Sequence, residues 1–130
     1  MLGSEVYSYF TALSKKANSA VGTVWKISRD EYDFSCPADI NRYFNVDDVV
    51  LPDIIINCAA FTDTTAIQTT HDGYIKAFKS NVILPRLLAE ACAKNNIKFV
   101  HVSTDYVNSE QSITIGNTDV VEFPVNVYGL

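Results

Sequence analysis

The sequence has no long hydrophobic run and no cluster of basic residues, and each absence excludes a class of protein. No apolar stretch approaches the roughly 18 residues of a membrane-spanning helix, so we expect no membrane contact. The 10 Lys and Arg are dispersed among 15 Asp and Glu, and the net charge is −5. An acidic chain without a basic patch is not typical of proteins that bind nucleic acid. The N-terminus carries Glu5 and no basic region, which is not the pattern of a secretory signal peptide.

Cysteine is scarce, and its spacing argues against cross-links or a metal site. The three thiols, at Cys36, Cys58 and Cys92, are odd in number and form no CxxC pair. His71 and His101 are isolated in the sequence, so they are predicted to be ordinary core or surface residues. We therefore expect reduced thiols, no bound metal and a cytoplasmic location.

The chain does have enough apolar sequence for a core, and helical and strand patterns alternate along it. Its 130 residues are 48% hydrophobic and 19% charged, as in one globular domain. The periodicities predict helices over 4–18, 35–44, 72–80 and 82–95, strands over 21–27, 54–57 and 97–103, and an irregular surface segment over 108–123. Pro85 should lie near the start of the last helix or kink it.

Strands that alternate with helices imply right-handed crossovers and a parallel sheet, so the sequence predicts an α/β fold. The apolar run at 54–57 is typical of a strand that is covered on both faces. In such sheets, ligands bind beyond the carboxyl ends of the strands. Small or polar residues follow two predicted strands there, at 57–60 and 103–106. They indicate a ligand site, although polar strand ends are also common where nothing binds.

Three segments carry a resemblance to a known family. They are PDIIINCAAFTD (52–63), KFVHVSTDYV (98–107) and FPVNVYG (123–129). Together, and in this order, they resemble the dTDP-4-dehydrorhamnose reductases, which are extended short-chain dehydrogenase/reductases. The resemblance implies that residues 1–130 form part of a doubly wound Rossmann domain that binds NADP or NAD. It also implies reduction of a keto-sugar nucleotide, dTDP-4-dehydrorhamnose, to dTDP-rhamnose.

The resemblance assigns catalytic and substrate-binding roles to three residues. Hydride that arrives at a ketone carbon creates an oxyanion, which needs a placed hydrogen-bond donor. Thr104 matches the residue that hydrogen-bonds the carbonyl, Tyr128 matches the general acid, and Tyr106 lines the substrate site. Two of them have ordinary alternatives: Thr104 as a turn cap and Tyr128 as a half-buried aromatic.

The resemblance also assigns cofactor-binding residues. Those at the carboxyl edge of the sheet or on neighbouring helices are Gly3, Asn57, Ala59, Ala60, Asn81 and Ser103. Asp33 resembles the family's aspartate that hydrogen-bonds the adenine amino group, with a turn or helix-cap carboxylate as the alternative. At the end of the predicted strand 21–27, Ser28 replaces the acidic residue common in NAD-binding sheets and Arg29 follows, which favours NADP. The alternative for Arg29 is a side chain that faces solvent.

Three parts of the family pattern are missing from this sequence. Gly3 matches only the last glycine of the GxxGxxG turn, and the strand before that turn is absent. The lysine expected four residues after Tyr128, and the substrate domain beyond it, are absent as well. We therefore expect a chain truncated at both ends, in which segments 21–27 and 97–103 lose a shared central neighbour. Expressed alone, it should be inactive and poorly folded.

Two other readings stay open at this point. One is another extended short-chain family member, such as a sugar-nucleotide epimerase or dehydratase, which shares the scaffold and the tyrosine. The other is a catalytically dead, nucleotide-binding regulatory subunit, like a relative that serves a methionine adenosyltransferase. A homodimer of the full-length parent is also left open.

Overall fold

The computed structural model describes residues 2–45, 50–104, 113–115 and 119–121. The helices are α1 (Leu2–Ser14), α2 (Pro37–Phe44), α3 (Thr64–Thr69), α4 (His71–Ala77), a π-helix (Phe78–Ile83) and α5 (Leu84–Lys94); the strands are β1 (Ile54–Asn57), β2 (Lys98–His101), β3 (Ile113–Ile115) and β4 (Asp119–Val121). Within these residues no helix is long and apolar enough to cross a membrane.

β1 and β2 form a parallel pair, which confirms the predicted α/β class. Their register places Ile54 opposite Lys98 and Asn57 opposite His101. The crossover between them contains α3, α4, the π-helix and α5. Because the strands run in the same direction, the segments that leave Asn57 and His101 emerge at the same edge of the sheet.

The core lies between α5, α2 and one face of this sheet. Its buried residues are Tyr43, Phe44, Leu84, Leu88, Ala91, Cys92 and Ile97. Ile55 and Phe99 pack against this cluster from the sheet. Since side chains alternate along a strand, Ile54 and Val100 project from the other face, where they are 51% and 39% exposed. The expectation of a strand covered on both faces is therefore wrong for the described part of the chain.

The strand predicted over 21–27 is not present, because a strand requires a hydrogen-bonded neighbour and this segment has none in the described structure. Trp25 in its middle is 43% exposed. Within the described residues, the segment 97–103 pairs with β1 on one side, and the predicted loss of a central neighbour stays a prediction. The helix predicted over 4–18 ends earlier, at Ser14.

The helix predicted over 72–80 is divided into α4 and a π-helix, and α3 precedes it. Asp63 and Thr70 cap α3 and α4, as their side chains accept hydrogen bonds from the N–H groups of Ala66 and Gly73 at 2.9 Å. α3 was not predicted, and the Thr70 cap starts α4 at His71, one residue before the predicted helix. β3 and β4 form an antiparallel pair within the segment predicted to be irregular, so that prediction is wrong at these residues.

The π-helix has a cause in the sequence, namely Pro85 near the start of α5. Proline has no N–H, so it cannot donate the α-helical hydrogen bond to the carbonyl four residues earlier, at Asn81. The N–H of Leu84 instead bonds to the carbonyl of Lys79, five residues back. The predicted disturbance at Pro85 is confirmed, and its form is one wide turn.

Candidate functional site

The candidate site lies at the carboxyl edge of β1 and β2. A hydrogen bond of 3.1 Å from the Val102 N–H to the Asn57 carbonyl continues the pairing beyond the strands. Ser103 is exposed and Thr104 is half-buried immediately after it. The two polar segments that the sequence predicts at this edge therefore emerge from adjacent strands.

Asn57 is the buried polar residue at this edge, with 5% of its surface exposed. Its Oδ1 accepts a hydrogen bond from the Ala59 N–H at 3.0 Å, and its Nδ2 lies 3.0 Å from Nδ1 of His101. Because Oδ1 faces an N–H donor, Nδ2 is the donor to His101, and this hydrogen-bond pattern assigns the ring proton to Nε2. The sequence predicts an isolated histidine, and only the register opposite Asn57 reveals its partner.

The loop after β1 offers open backbone at small residues. Ala59 and Ala60 are both exposed. The first turn of α1 lies beside this loop, since a Cβ added to Gly3 would be 3.4 Å from Cβ of Cys58. The residues predicted to flank a cofactor at Gly3, Ala59 and Ala60 are thus neighbours in space, and their surface suits close approach by a ligand.

Asn81 projects from the π-helix onto the end of the same loop. Its Oδ1 accepts from the Phe61 N–H at 2.8 Å, and its Nδ2 donates to the Phe61 carbonyl at 3.1 Å. Both polar atoms of the Asn81 amide are therefore bonded to the backbone of one residue. Asn81, a predicted cofactor-binding residue, is therefore connected to the candidate site by its hydrogen bonds to this loop.

Arg29 and Ser28 lie on the segment after residues 21–27. Nη2 of Arg29 donates to Oγ of Ser80 at 2.6 Å, and Ser80 is only 2% exposed. The N–H and the hydroxyl of Ser28 donate to the Glu31 carboxylate at 2.8 and 3.0 Å. These hydrogen bonds, the backbone one first, hold the pKa of Glu31 below its ordinary value. Arg29 is thus tied to the π-helix.

Asp33 accepts hydrogen bonds within its own turn. Its Oδ1 receives the Ser35 hydroxyl at 2.7 Å and the Ser35 N–H at 3.0 Å. The side-chain hydrogen bond is the largest cause that holds the pKa of Asp33 below its ordinary value; the cations of Arg29 and Lys79 act in the same direction, and burial opposes them. The turn-carboxylate alternative is therefore realised, and the adenine contact stays a prediction.

Replacing Ser35 by alanine is expected to raise the pKa of Asp33. A carboxyl with a depressed pKa stabilises the fold above its unfolded pKa of about 4, and this stabilisation is lost as the pH falls through the folded value. The Ser35→Ala protein should therefore lose less stability than wild type as the pH falls below about 4. An NMR titration of the Asp33 carboxyl, with unfolding midpoints over the same pH range, checks this. An unchanged Asp33 pKa in the variant would contradict it.

The remaining predicted site residues are Tyr106 and Tyr128, and both lie outside the described residues. The convergence of the Thr104 and Tyr128 hydroxyls on one carbonyl oxygen therefore stays a prediction. Within the described ranges, no group of three or more His, Cys, Asp and Glu side chains is arranged to hold a metal ion.

Over most of its length, the chain is similar to known proteins of one family. Residues 3–130 match the family model described as RmlD substrate binding domain. The dTDP-4-dehydrorhamnose reductase of Mycobacterium tuberculosis is 31% identical over 105 residues, which are 81% of this chain and 31% of that protein. The enzyme of the same name from Mycolicibacterium smegmatis is 30% identical over 118 residues, or 90% of this chain and 34% of that protein.

A solved structure supports the same relationship. The crystal structure of a dTDP-4-dehydrorhamnose reductase from Clostridium acetobutylicum superposes with a TM-score of 0.70 at 28% identity, covering 94% of this chain and 40% of that one. The chain thus spans about a third of the length of the curated relatives it matches, at 31% and 34%. The predicted resemblance is confirmed, and the chain belongs to the RmlD substrate binding domain family.

Proposed function

We propose that this chain is the nucleotide-binding part of an NADPH-dependent reductase that converts dTDP-4-dehydrorhamnose to dTDP-rhamnose. The observation that carries the proposal is the edge where the loop after β1 and the Ser103–Thr104 segment emerge side by side. In parallel α/β sheets this edge is where nucleotides bind. The names of the relatives support the substrate class.

The residues at this edge fit a dinucleotide. Exposed Ala59 and Ala60 leave room at the backbone, and the first turn of α1 lies beside them at Gly3. NADPH, when bound, would supply the hydride. Among this chain's own residues, Thr104 would donate a hydrogen bond to the carbonyl oxygen, and Tyr128 would give its proton to the developing alkoxide.

Arg29 supports NADP over NAD within this proposal. Its guanidinium has five N–H donors, and the one on Ser80 leaves others for the 2′-phosphate that distinguishes NADPH from NADH. We further propose that the protein acts in the cytoplasm, and that any homodimer would be formed by the longer protein.

The activity test is made in the longer protein that would contain this chain, because the chain alone is expected to be inactive. It replaces Thr104 by valine, which removes the hydroxyl and keeps the branched shape. Loss of an oxyanion donor should lower kcat for NADPH oxidation with dTDP-4-dehydrorhamnose by about a hundredfold, with little change in NADPH affinity. Thr69→Val is the matched control, because the Thr69 hydroxyl bonds only to the Thr65 carbonyl in α3, at 2.8 Å among the described contacts. This control should leave kcat unchanged.

Three outcomes would contradict the proposal. Full activity in Thr104→Val would remove Thr104 from catalysis. A longer wild-type protein that binds NADPH but does not oxidise it with the sugar nucleotide would favour the regulatory-subunit reading. Turnover of a different nucleotide sugar by that protein would favour the epimerase or dehydratase reading.

A further inference from the structure

The π-helix places two consecutive side chains on two different segments of the candidate site. Ser80 accepts a hydrogen bond from Arg29, which lies 51 residues away in the sequence, at 2.6 Å. Asn81 forms two hydrogen bonds with the backbone of Phe61, 20 residues away. One turn of helix therefore links the loop after β1 to the segment that carries Arg29.

We propose that Ser80 and Asn81 are positioning residues for a bound nicotinamide dinucleotide, acting through Arg29 and through the Phe61 backbone respectively. This inference rests on the proposed function. It adds that one helical turn holds two segments of the cofactor site, the loop after β1 and the segment that carries Arg29, in position relative to each other. It assigns to Asn81 a role through the loop rather than through contact with the cofactor.

The case for Asn81 rests on how the loop is anchored. Asn57 holds the start of the loop through the Ala59 N–H, and Asn81 holds its end through the N–H and the carbonyl of Phe61. Ala60 lies between these two anchors. Removing the Asn81 amide frees one end of the loop, so any ligand that uses this backbone must then order it on binding, which lowers affinity.

The case for Ser80 rests on burial and charge. Its hydroxyl is almost fully buried, at 2% exposure, whereas Arg29 is exposed. A long exposed arginine has many rotamers, and a buried acceptor restricts them before a ligand arrives. Arg29 would contact the 2′-phosphate, so Ser80 should affect NADPH and not NADH.

Pro85 explains why the helical turn that carries Ser80 and Asn81 is wide. Because Pro85 cannot donate a hydrogen bond to the Asn81 carbonyl, the turn from Phe78 to Ile83 is wider than in an α-helix. π-Turns of this kind often occur at functional sites. Here the turn supplies both positioning side chains.

The test uses the purified longer protein that would contain this chain. It measures amide hydrogen exchange without nucleotide, and the affinities for NADPH and NADH by calorimetry. In Asn81→Ala, exchange at the Phe61 amide should rise about tenfold, and both affinities should fall about tenfold. In Ser80→Ala, NADPH affinity alone should fall, by about fivefold, while NADH affinity and exchange at Phe61 stay unchanged. Asn95→Ala is the matched control, because Asn95 Nδ2 donates to the Ala91 carbonyl at 2.9 Å at the end of α5; neither quantity should change.

Several results would overturn the inference. If Asn81→Ala weakens binding without faster exchange at Phe61, Asn81 acts by direct contact; if exchange rises and affinity does not fall, the anchor has no role in binding. If Asn81→Ala loses its helical circular dichroism, Asn81→Asp replaces it. The carboxylate can accept from the Phe61 N–H but cannot donate to the Phe61 carbonyl, so one of the two anchoring hydrogen bonds is lost. Unchanged exchange at Phe61 together with unchanged nucleotide affinity in Asn81→Asp would therefore contradict the anchor. A wild type that binds neither nucleotide overturns the proposed function itself, and that result is distinct from the others.

Discussion

Replacing Arg29 by alanine is expected to weaken NADPH binding by roughly tenfold to a hundredfold and to leave NADH binding nearly unchanged. A charge-assisted hydrogen bond from a guanidinium to a phosphate is worth about 1.5–3 kcal/mol. NADH lacks the 2′-phosphate, so replacing Arg29 removes no such hydrogen bond from NADH. The measurement is the ratio of the two dissociation constants by calorimetry at one fixed salt concentration, because salt screens the interaction.

Arg86→Ala is the matched control for this experiment. Arg86 is also exposed, on α5, where its guanidinium lies 3.7 Å from the Glu90 carboxylate. Its replacement removes the same charge at a different place, so the NADPH-to-NADH ratio should not change. An equal ratio in Arg29→Ala and wild type would assign Arg29 to solvent and would remove the preference for NADP.

Replacing Gly73 by alanine is expected to destabilise the fold by about 1–3 kcal/mol, which is opposite in sign to the usual effect in a helix. Alanine in a helix interior is ordinarily more favourable than glycine by about 1 kcal/mol. Here a Cβ would overlap the backbone carbonyl of Ala66, and it would lie 2.8 Å from the Thr70 hydroxyl that caps α4. Because the clash is with backbone atoms, α3 and α4 must move apart to make room for the added methyl group.

Gly22→Ala is the control for the glycine replacement. A Cβ at Gly22 meets no atom within 4 Å, so this change should be neutral or slightly stabilising. Urea midpoints followed by circular dichroism compare the two variants with wild type. A Gly73→Ala protein as stable as wild type would show that α3 and α4 do not pack as closely as the structure has them.

The elements that were predictable are those whose patterns are local. The apolar spacing and Pro37 predict α2, and the continuous apolar runs predict β1 and β2, because burial of a face determines which residues recur. The break at Pro85 was predictable for the same reason, since proline acts on its own turn. Apart from His71, α4 falls within the helix predicted over 72–80, whereas α3 was missed, since its six residues are too few to show a helical period.

The contacts of the site were not predictable, because they join residues far apart in the chain. Arg29 and Ser80 are separated by 51 positions, Asn57 and His101 by 44, and Phe61 and Asn81 by 20. A local pattern identifies a residue type and does not identify its partner. The sequence could therefore suggest Arg29 and Asn81 as candidate residues without revealing that one helical turn holds both segments.

By itself, then, the sequence determined the α/β alternation and the family, and it predicted a ligand at one edge of the sheet. The tertiary structure alone decided that 54–57 pairs with 98–101, that 21–27 forms no strand, and that the amides of Asn57 and Asn81 anchor one loop. The physical reason is that periodicity follows from burial along one segment, whereas strand pairing and buried hydrogen bonds depend on which distant segments are available as neighbours.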